Sequence, residues 1–175
     1  MIKKLIYLDN ASTTPLSKNV LKKINSTYKN YWNNSSSTYK YGIKCSIFLE
    51  KIRLKIAEAF NAEPEDIIFT SGSSESTSIV FSNLDDKYKK GRIVISKVEH
   101  QATIISANTL KRKGWDIYEW NVNEDGMIDI SEIEQVLDKN TTLVSLIWGQ
   151  SEIGTLQPVQ FVGNKCNKMD ILFHI

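Results

Sequence analysis

Only two cysteines occur among the 175 residues, Cys45 and Cys166, far apart and without the paired spacing that metal sites use. A disulfide framework and a cysteine-bound metal are therefore not expected, and both thiols read as reduced. Long apolar runs are also missing, for no window approaches the ~20 residues of a membrane helix. At the N-terminus Asp9 and Asn10 interrupt "MIKKLIYLDN" before an apolar signal core forms, so the expected location is the cytoplasm. Charge of one sign is lacking too. The 22 basic and 20 acidic residues are interspersed, net +2, and short runs such as "KYKK" (Lys87–Lys90) make no basic block. Neither nucleic acid nor a membrane is expected as a partner. No internal repeat and no low-complexity linker interrupts the chain.

What is present suits a folded core. The composition is 41% hydrophobic and 24% charged, ordinary for a globular chain long enough to bury a sizeable interior. Short runs rich in β-branched and aromatic residues predict strands over 67–71 ("IIFTS"), 92–96 ("RIVIS"), 116–122 ("DIYEWNV"), 142–148 ("TLVSLIW") and 171–175 ("ILFHI"). Several are apolar on both faces, as buried parallel strands are. Helical spacing appears over 16–32, 44–60, 73–84, 100–114 and 129–140, with Gly114 placed to end the fourth. A further helix is expected after Pro158. Alternating strands and helices predict an α/β fold with a mostly parallel sheet flanked by helices.

In such sheets ligands sit beyond the carboxyl ends of strands, where helices begin. "FTSGSSES" (Phe69–Ser76) falls there. Its small and hydroxylated residues suit a turn and helix cap, and equally a seat for a phosphate held by backbone N–H groups and the helix dipole. Two more polar clusters follow strands: "VEHQA", with His100 at the mouth of a helix, and "GQSEIGT". The three converge on one edge of the expected sheet.

Read together, "YLDNASTTP" (Tyr7–Pro15), "FTSGSSES", "VEHQA" and "SEIGTLQPV" resemble, in order and spacing, the cysteine desulfurases of the class V aminotransferase group. The resemblance runs along essentially the whole chain. It implies a pyridoxal 5'-phosphate enzyme that removes sulfur from L-cysteine as an enzyme-bound persulfide and releases L-alanine. The sulfur would pass to a scaffold or acceptor protein for iron–sulfur cluster assembly or tRNA thiolation, and the complete form would be a homodimer. It also implies that residues 1–15 belong to the small domain and 16–175 to the first part of the cofactor-binding large domain. By the same resemblance Ser73 and Ser74 hold the cofactor phosphate. His100 stacks on the pyridine ring and shuttles protons, and Ser151 faces the phenolic oxygen.

Three departures accompany the resemblance. Ser151 stands where the family has Asn, and its shorter side chain reaches less far toward a phenolate. In "WNNSSSTYKYG" (Trp32–Gly42) the family's first Gly, Pro and His are replaced by Asn33, Ser35 and Tyr39. The family's pyridine-pairing Asp, cofactor-anchoring Lys and catalytic Cys match positions beyond Ile175, so these 175 residues alone are expected to be inactive. Missing a neighbouring strand, 67–71 is expected to be left unpaired. Cys45 and Cys166 read as buried or half-buried thiols rather than the catalytic one. A selenocysteine lyase, another class V aminotransferase, or a non-catalytic remnant stand as alternatives.

Overall fold

A computed structural model describes residues 6–175. The first five residues of the N-terminal stretch discussed above lie outside that range. Two compact units divide the chain, residues 1–69 and 70–175.

In the first unit two helices dominate, α1 (Lys18–Asn30) and α2 (Lys40–Phe60). Ser17 starts α1 by accepting the Val20 N–H at 3.3 Å, which satisfies one of the donors a helix start leaves unpaired. Tyr31 and Phe48 stack with ring centroids 4.0 Å apart. Gly42 explains itself sterically: a Cβ there would lie 2.3 Å from the Ser37 carbonyl oxygen. Any side chain would push α2 away from the 34–37 turn, so the glycine ending "WNNSSSTYKYG" is needed by the backbone. Asn61 then ends α2 in the left-handed conformation, φ 51°.

Residues 67–71 are left unpaired, as expected, and so form no strand. The residues are extended but pair with nothing in a sheet, and Ile68 is 68% exposed. Apolar composition marks a strand only where a neighbouring strand offers its own N–H and C=O groups. Here Arg53 takes up part of that role, donating from Nη1 to the Ile67 carbonyl and placing its guanidinium 4.9 Å from the Phe69 ring centroid.

The second unit is the expected α/β arrangement. It runs α3 (Ser73–Lys87), β1 (Arg92–Ser96), α4 (Gln101–Arg112), β2 (Asp116–Trp120), α5 (Ile133–Val136), β3 (Thr141–Ser145), α6 (Val159–Lys168) and β4 (Leu172–His174). All four strands are parallel, in the order β2-β1-β3-β4. Alternation along the strands feeds two layers of core. Ile93 and Ile95 of β1 pack with Phe81, Leu84, Ala107 and Leu110 from α3 and α4. Val94 joins Trp120, Val136, Val144 and Val162 on the other face. Arg92 pins the base of the sheet, with Nε 2.8 Å from Asp116 and Nη1 3.0 Å from Asp138.

Two differences from expectation have local causes. The helix anticipated over 129–140 shrinks to a 3-10 turn at Ile130–Glu132 followed by α5. Its second half is diverted because Asp138 Oδ1 accepts the Asn140 N–H at 2.8 Å and Thr141 Oγ1 accepts the Asp138 N–H at 3.0 Å, side-chain bonds that compete with helical ones. Trp148, read as packing, is 61% exposed, whereas Trp115 and Trp120 are buried. Gly114 closes α4 as expected: at φ 96° it lets the Trp115 N–H reach the Leu110 carbonyl at 3.1 Å. Among the described residues no helix is long and apolar enough to cross a membrane.

Candidate functional site

The strand order reverses at β1: the chain moves from β1 to β2 on one side, then returns to place β3 on the other. At such a reversal the connections diverge and leave a crevice beyond the strand ends. A cleft of about 230 Å³ lies there, lined by Ser73, Thr77, Glu99, His100, Ser145 and His174 among others.

One wall is the start of α3. No side chain caps that start at Gly72, in contrast to Ser17 on α1 and His100 on α4. The leading N–H groups of α3 thus lack a side-chain acceptor at Gly72 and carry the positive end of the helix dipole. A Cβ at Gly72 would meet nothing within 4 Å, so the approach to these donors is open. Glu75 steadies the loop, its Oε2 accepting the Ser71 N–H at 2.6 Å. Hydrogen bonding from Ser71 holds that carboxyl below its usual range.

The opposite wall is the entry to α4. His100 Nδ1 accepts the Ala102 N–H at 3.1 Å, so the neutral ring carries its proton on Nε2. Beside it Glu99 is buried at 9% exposure, and its Oε1 accepts both the Ser96 hydroxyl and the Ile147 N–H at 2.7 Å. Burial pushes this carboxyl up, opposed by hydrogen bonds from Ser96, Ile147 and Thr103. Ser145 Oγ and His174 Nδ1, 2.8 Å apart, also face the cleft. Burial lowers the pKa of His174.

Of the residues singled out from sequence, Ser73 and His100 line this cleft. Ser74 follows Ser73 in the same first turn of α3 but is not among the lining residues. Ser151 lies outside it, exposed in the turn after β3. Gln150 is spent within that turn, where its Oε1 accepts the Glu152 and Ile153 N–H groups at 2.6 and 3.1 Å. Sequence reasoning passed over Glu99, Ser145 and His174. The available signals were a carboxylate in "VEHQA" and one of only two histidines placed inside an apolar strand.

This donor set fits pyridoxal 5'-phosphate at both ends. Uncapped N–H groups and a serine hydroxyl suit the phosphate, and an imidazole across the cleft suits an aromatic ring. Among the described residues no three His, Cys, Asp or Glu side chains cluster to hold a metal ion.

The chain is similar to known proteins in both sequence and fold. The chain is 36% identical over 172 residues to the mitochondrial cysteine desulfurase of Eremothecium gossypii, covering 97% of this chain and 35% of that one. Its fold matches a solved NifS-like protein at a TM-score of 0.88 with 29% identity, covering 97% of this chain and 48% of the other. A structure described as SspA in complex with cysteine matches at 0.88 with 30% identity, covering 96% and 49%. The chain thus spans half or less of the length of these relatives. The family model for class-V aminotransferases matches residues 6–175, and with the crevice at the strand reversal this makes the chain a member of the class-V aminotransferase family.

Proposed function

We propose that these residues form the cofactor-seating part of a cysteine desulfurase. The observation that carries this reading is that the uncapped start of α3 and the His100 imidazole line one cleft of about 230 Å³ at the strand reversal. Support comes from the relatives named cysteine desulfurase and from the related structure described as holding cysteine.

Pyridoxal 5'-phosphate, when bound, supplies the electron sink that weakens bonds at the α-carbon of an amino acid. The chain's own residues do the rest of the seating. Backbone N–H groups and hydroxyls of Ser73 and Ser74 bind the phosphate with the help of the α3 dipole. His100 would face the ring, and as a neutral imidazole it would carry its proton at Nε2, because Nδ1 is tied to Ala102. Ser151, which the resemblance assigns to the phenolic oxygen, is exposed in the turn after β3 and is not among the cleft residues. The substrate of the whole enzyme is L-cysteine, its product L-alanine, and the sulfur leaves as a persulfide for a scaffold or acceptor protein. The whole enzyme works as a homodimer in the cytoplasm. Neither of this chain's thiols is the sulfur carrier, since Cys45 and Cys166 are both buried and burial pushes the Cys166 thiol up to about 11.

The test is to titrate the purified chain with pyridoxal phosphate and with pyridoxal, following absorbance, then to reduce with borohydride and weigh the product. Phosphate-dependent retention is expected, lost in Ser73→Asp, which sets a negative charge against the phosphate. No stoichiometric covalent adduct is expected. Equal retention of pyridoxal, or retention unaffected by Ser73→Asp, overturns the phosphate seat. A specific adduct would assign one of this chain's own lysines the anchoring role.

A further inference from the structure

The loop between β1 and α4 is four residues long, Lys97–His100, and within it Glu99 is the buried side chain. A carboxyl at 9% exposure is an uncommon occupant of a short loop, and it is tolerated only where donors surround it. Glu99 has them, and they come from different elements. The Ser96 hydroxyl is at the end of β1, the Ile147 N–H lies just past the end of β3, and Thr103 belongs to the first turn of α4. One side chain therefore ties together both edges of the crevice and the helix that begins at His100. The loop backbone is anchored besides at its two ends, by the Lys97 N–H on the Trp120 carbonyl at 3.1 Å and by the Thr103 and Ile104 N–H groups on the His100 carbonyl at 3.0 and 3.3 Å.

His100 follows directly. Its ring is held at one atom, Nδ1, by a single bond of 3.1 Å to the Ala102 N–H, and the residue is exposed. A bond of that kind at a solvent-facing site does not by itself hold a ring in one orientation. What keeps Nδ1 aimed at α4 and Nε2 free for the cleft is the placement of the backbone at residue 100, which α4 holds from one side through the His100 carbonyl and Glu99 holds from the other.

We propose that Glu99 is the positioning residue for His100, its carboxyl clamping the β1–α4 loop to β3 so that the imidazole keeps one tautomer and one orientation in the cleft. Glu99 acts through the backbone, its Oε1 being taken up by the Ser96 hydroxyl and the Ile147 N–H. The inference deepens the cofactor-seating reading and rests on it for its functional meaning, but its geometry can be tested without cofactor.

The chain has only two histidines, so the long-range ¹H–¹⁵N spectrum of histidine-labelled protein reports each ring separately. In the unmodified chain His100 is expected to show an unprotonated Nδ1 and a protonated Nε2. Glu99→Gln keeps an acceptor for Ser96 and Ile147 and should preserve that pattern. Glu99→Ala should collapse it to the averaged tautomers of a free imidazole, while the His174 signals, held by Ser145, stay in place. An unchanged His100 pattern in folded Glu99→Ala overturns the proposal, as does a Gln variant that behaves like Ala. Loss of stability alone would not change the tautomer pattern of the folded state. Should Glu99→Ala fail to fold by circular dichroism, Ser96→Ala carries the test: partial averaging supports the clamp, and no change overturns it. Pyridoxal phosphate supplies the functional arm, with a dissociation constant raised about tenfold or more in Glu99→Ala and within about twofold in Glu99→Gln. If the cofactor reading is wrong, that arm is flat for all variants while the tautomer result stands.

Discussion

Ser145 and His174 are register partners on the parallel strands β3 and β4, and their side chains meet at 2.8 Å between Oγ and Nδ1. His174 also stands edge-on to Phe81, with ring centroids 6.3 Å apart at 88°. This imidazole is built into the floor of the cleft as a neutral group.

Burial lowers the pKa of His174 from the ordinary value of 6.5. The unfolded ring therefore takes up a proton near 6.5, while the folded ring resists until lower pH. Its contribution to stability is full above 6.5 and is lost as pH falls from there through the folded value. Urea midpoints measured between about pH 8 and about pH 5 should fall more steeply for the unmodified chain than for His174→Phe.

Glu99 has the opposite sign. Its carboxyl is raised above 4.5 by burial, so the folded state holds a proton that the unfolded state has released. The stability tied to that proton is present at low pH and is lost as pH rises from 4.5 through the folded value. Glu99→Gln should flatten the slope on that limb. A Gln variant with an unchanged slope would assign it to other carboxyls.

Thiol accessibility gives a third expectation. Cys45 and Cys166 are 4% and 0% exposed, and burial pushes Cys166 up to about 11, so its thiolate is scarce at neutral pH. A disulfide reagent such as dithionitrobenzoate should find no fast-reacting thiol in the native chain and two after denaturation in urea.

Gln157 is a buried amide at 3% exposure. Its Oε1 accepts the Ile128 N–H at 3.0 Å and its Nε2 donates to the Gly126 carbonyl at 2.7 Å, joining the segment after β2 to the start of α6. Gln157→Leu leaves both backbone groups unpaired, at about 1–3 kcal/mol each. The urea midpoint should drop with little change in slope.

Legibility in the sequence followed how local the cause was. β1 and β3 were readable because their residues are apolar on both faces, which is what a central parallel strand requires. Residues 67–71 have the same composition, and their lack of a partner was foreseen only through the family resemblance, because no local pattern reveals which strand lies beside another. The helix over 129–140 was overextended because the apolar spacing continued while the Asp138 and Thr141 side chains were already bending the chain. In the site, His100 was marked by its place just after an apolar run, and Ser73 was singled out through the family resemblance within a polar stretch that follows another such run. Glu99 was not, since its meaning depends on an N–H 48 residues further on. Ser145 and His174 became a pair only through the register of two strands.

The strand order also dictates a sequence of assembly. β1 meets β2 across one short helix, and Arg92 reaches Asp116 over 24 residues, but Asp138 only over 46. Closing the shorter loop is entropically easier, so the β1–α4–β2 unit is expected to form first and β3 and β4 to dock on it afterwards. The cleft draws on the ends of β1, β3 and β4 together, so it comes into being only at the last step. The same ordering, run backwards, makes release of β4 the easiest opening of the second unit. Amide exchange should then be fastest at Leu172–His174 and slowest at Ile93–Ile95.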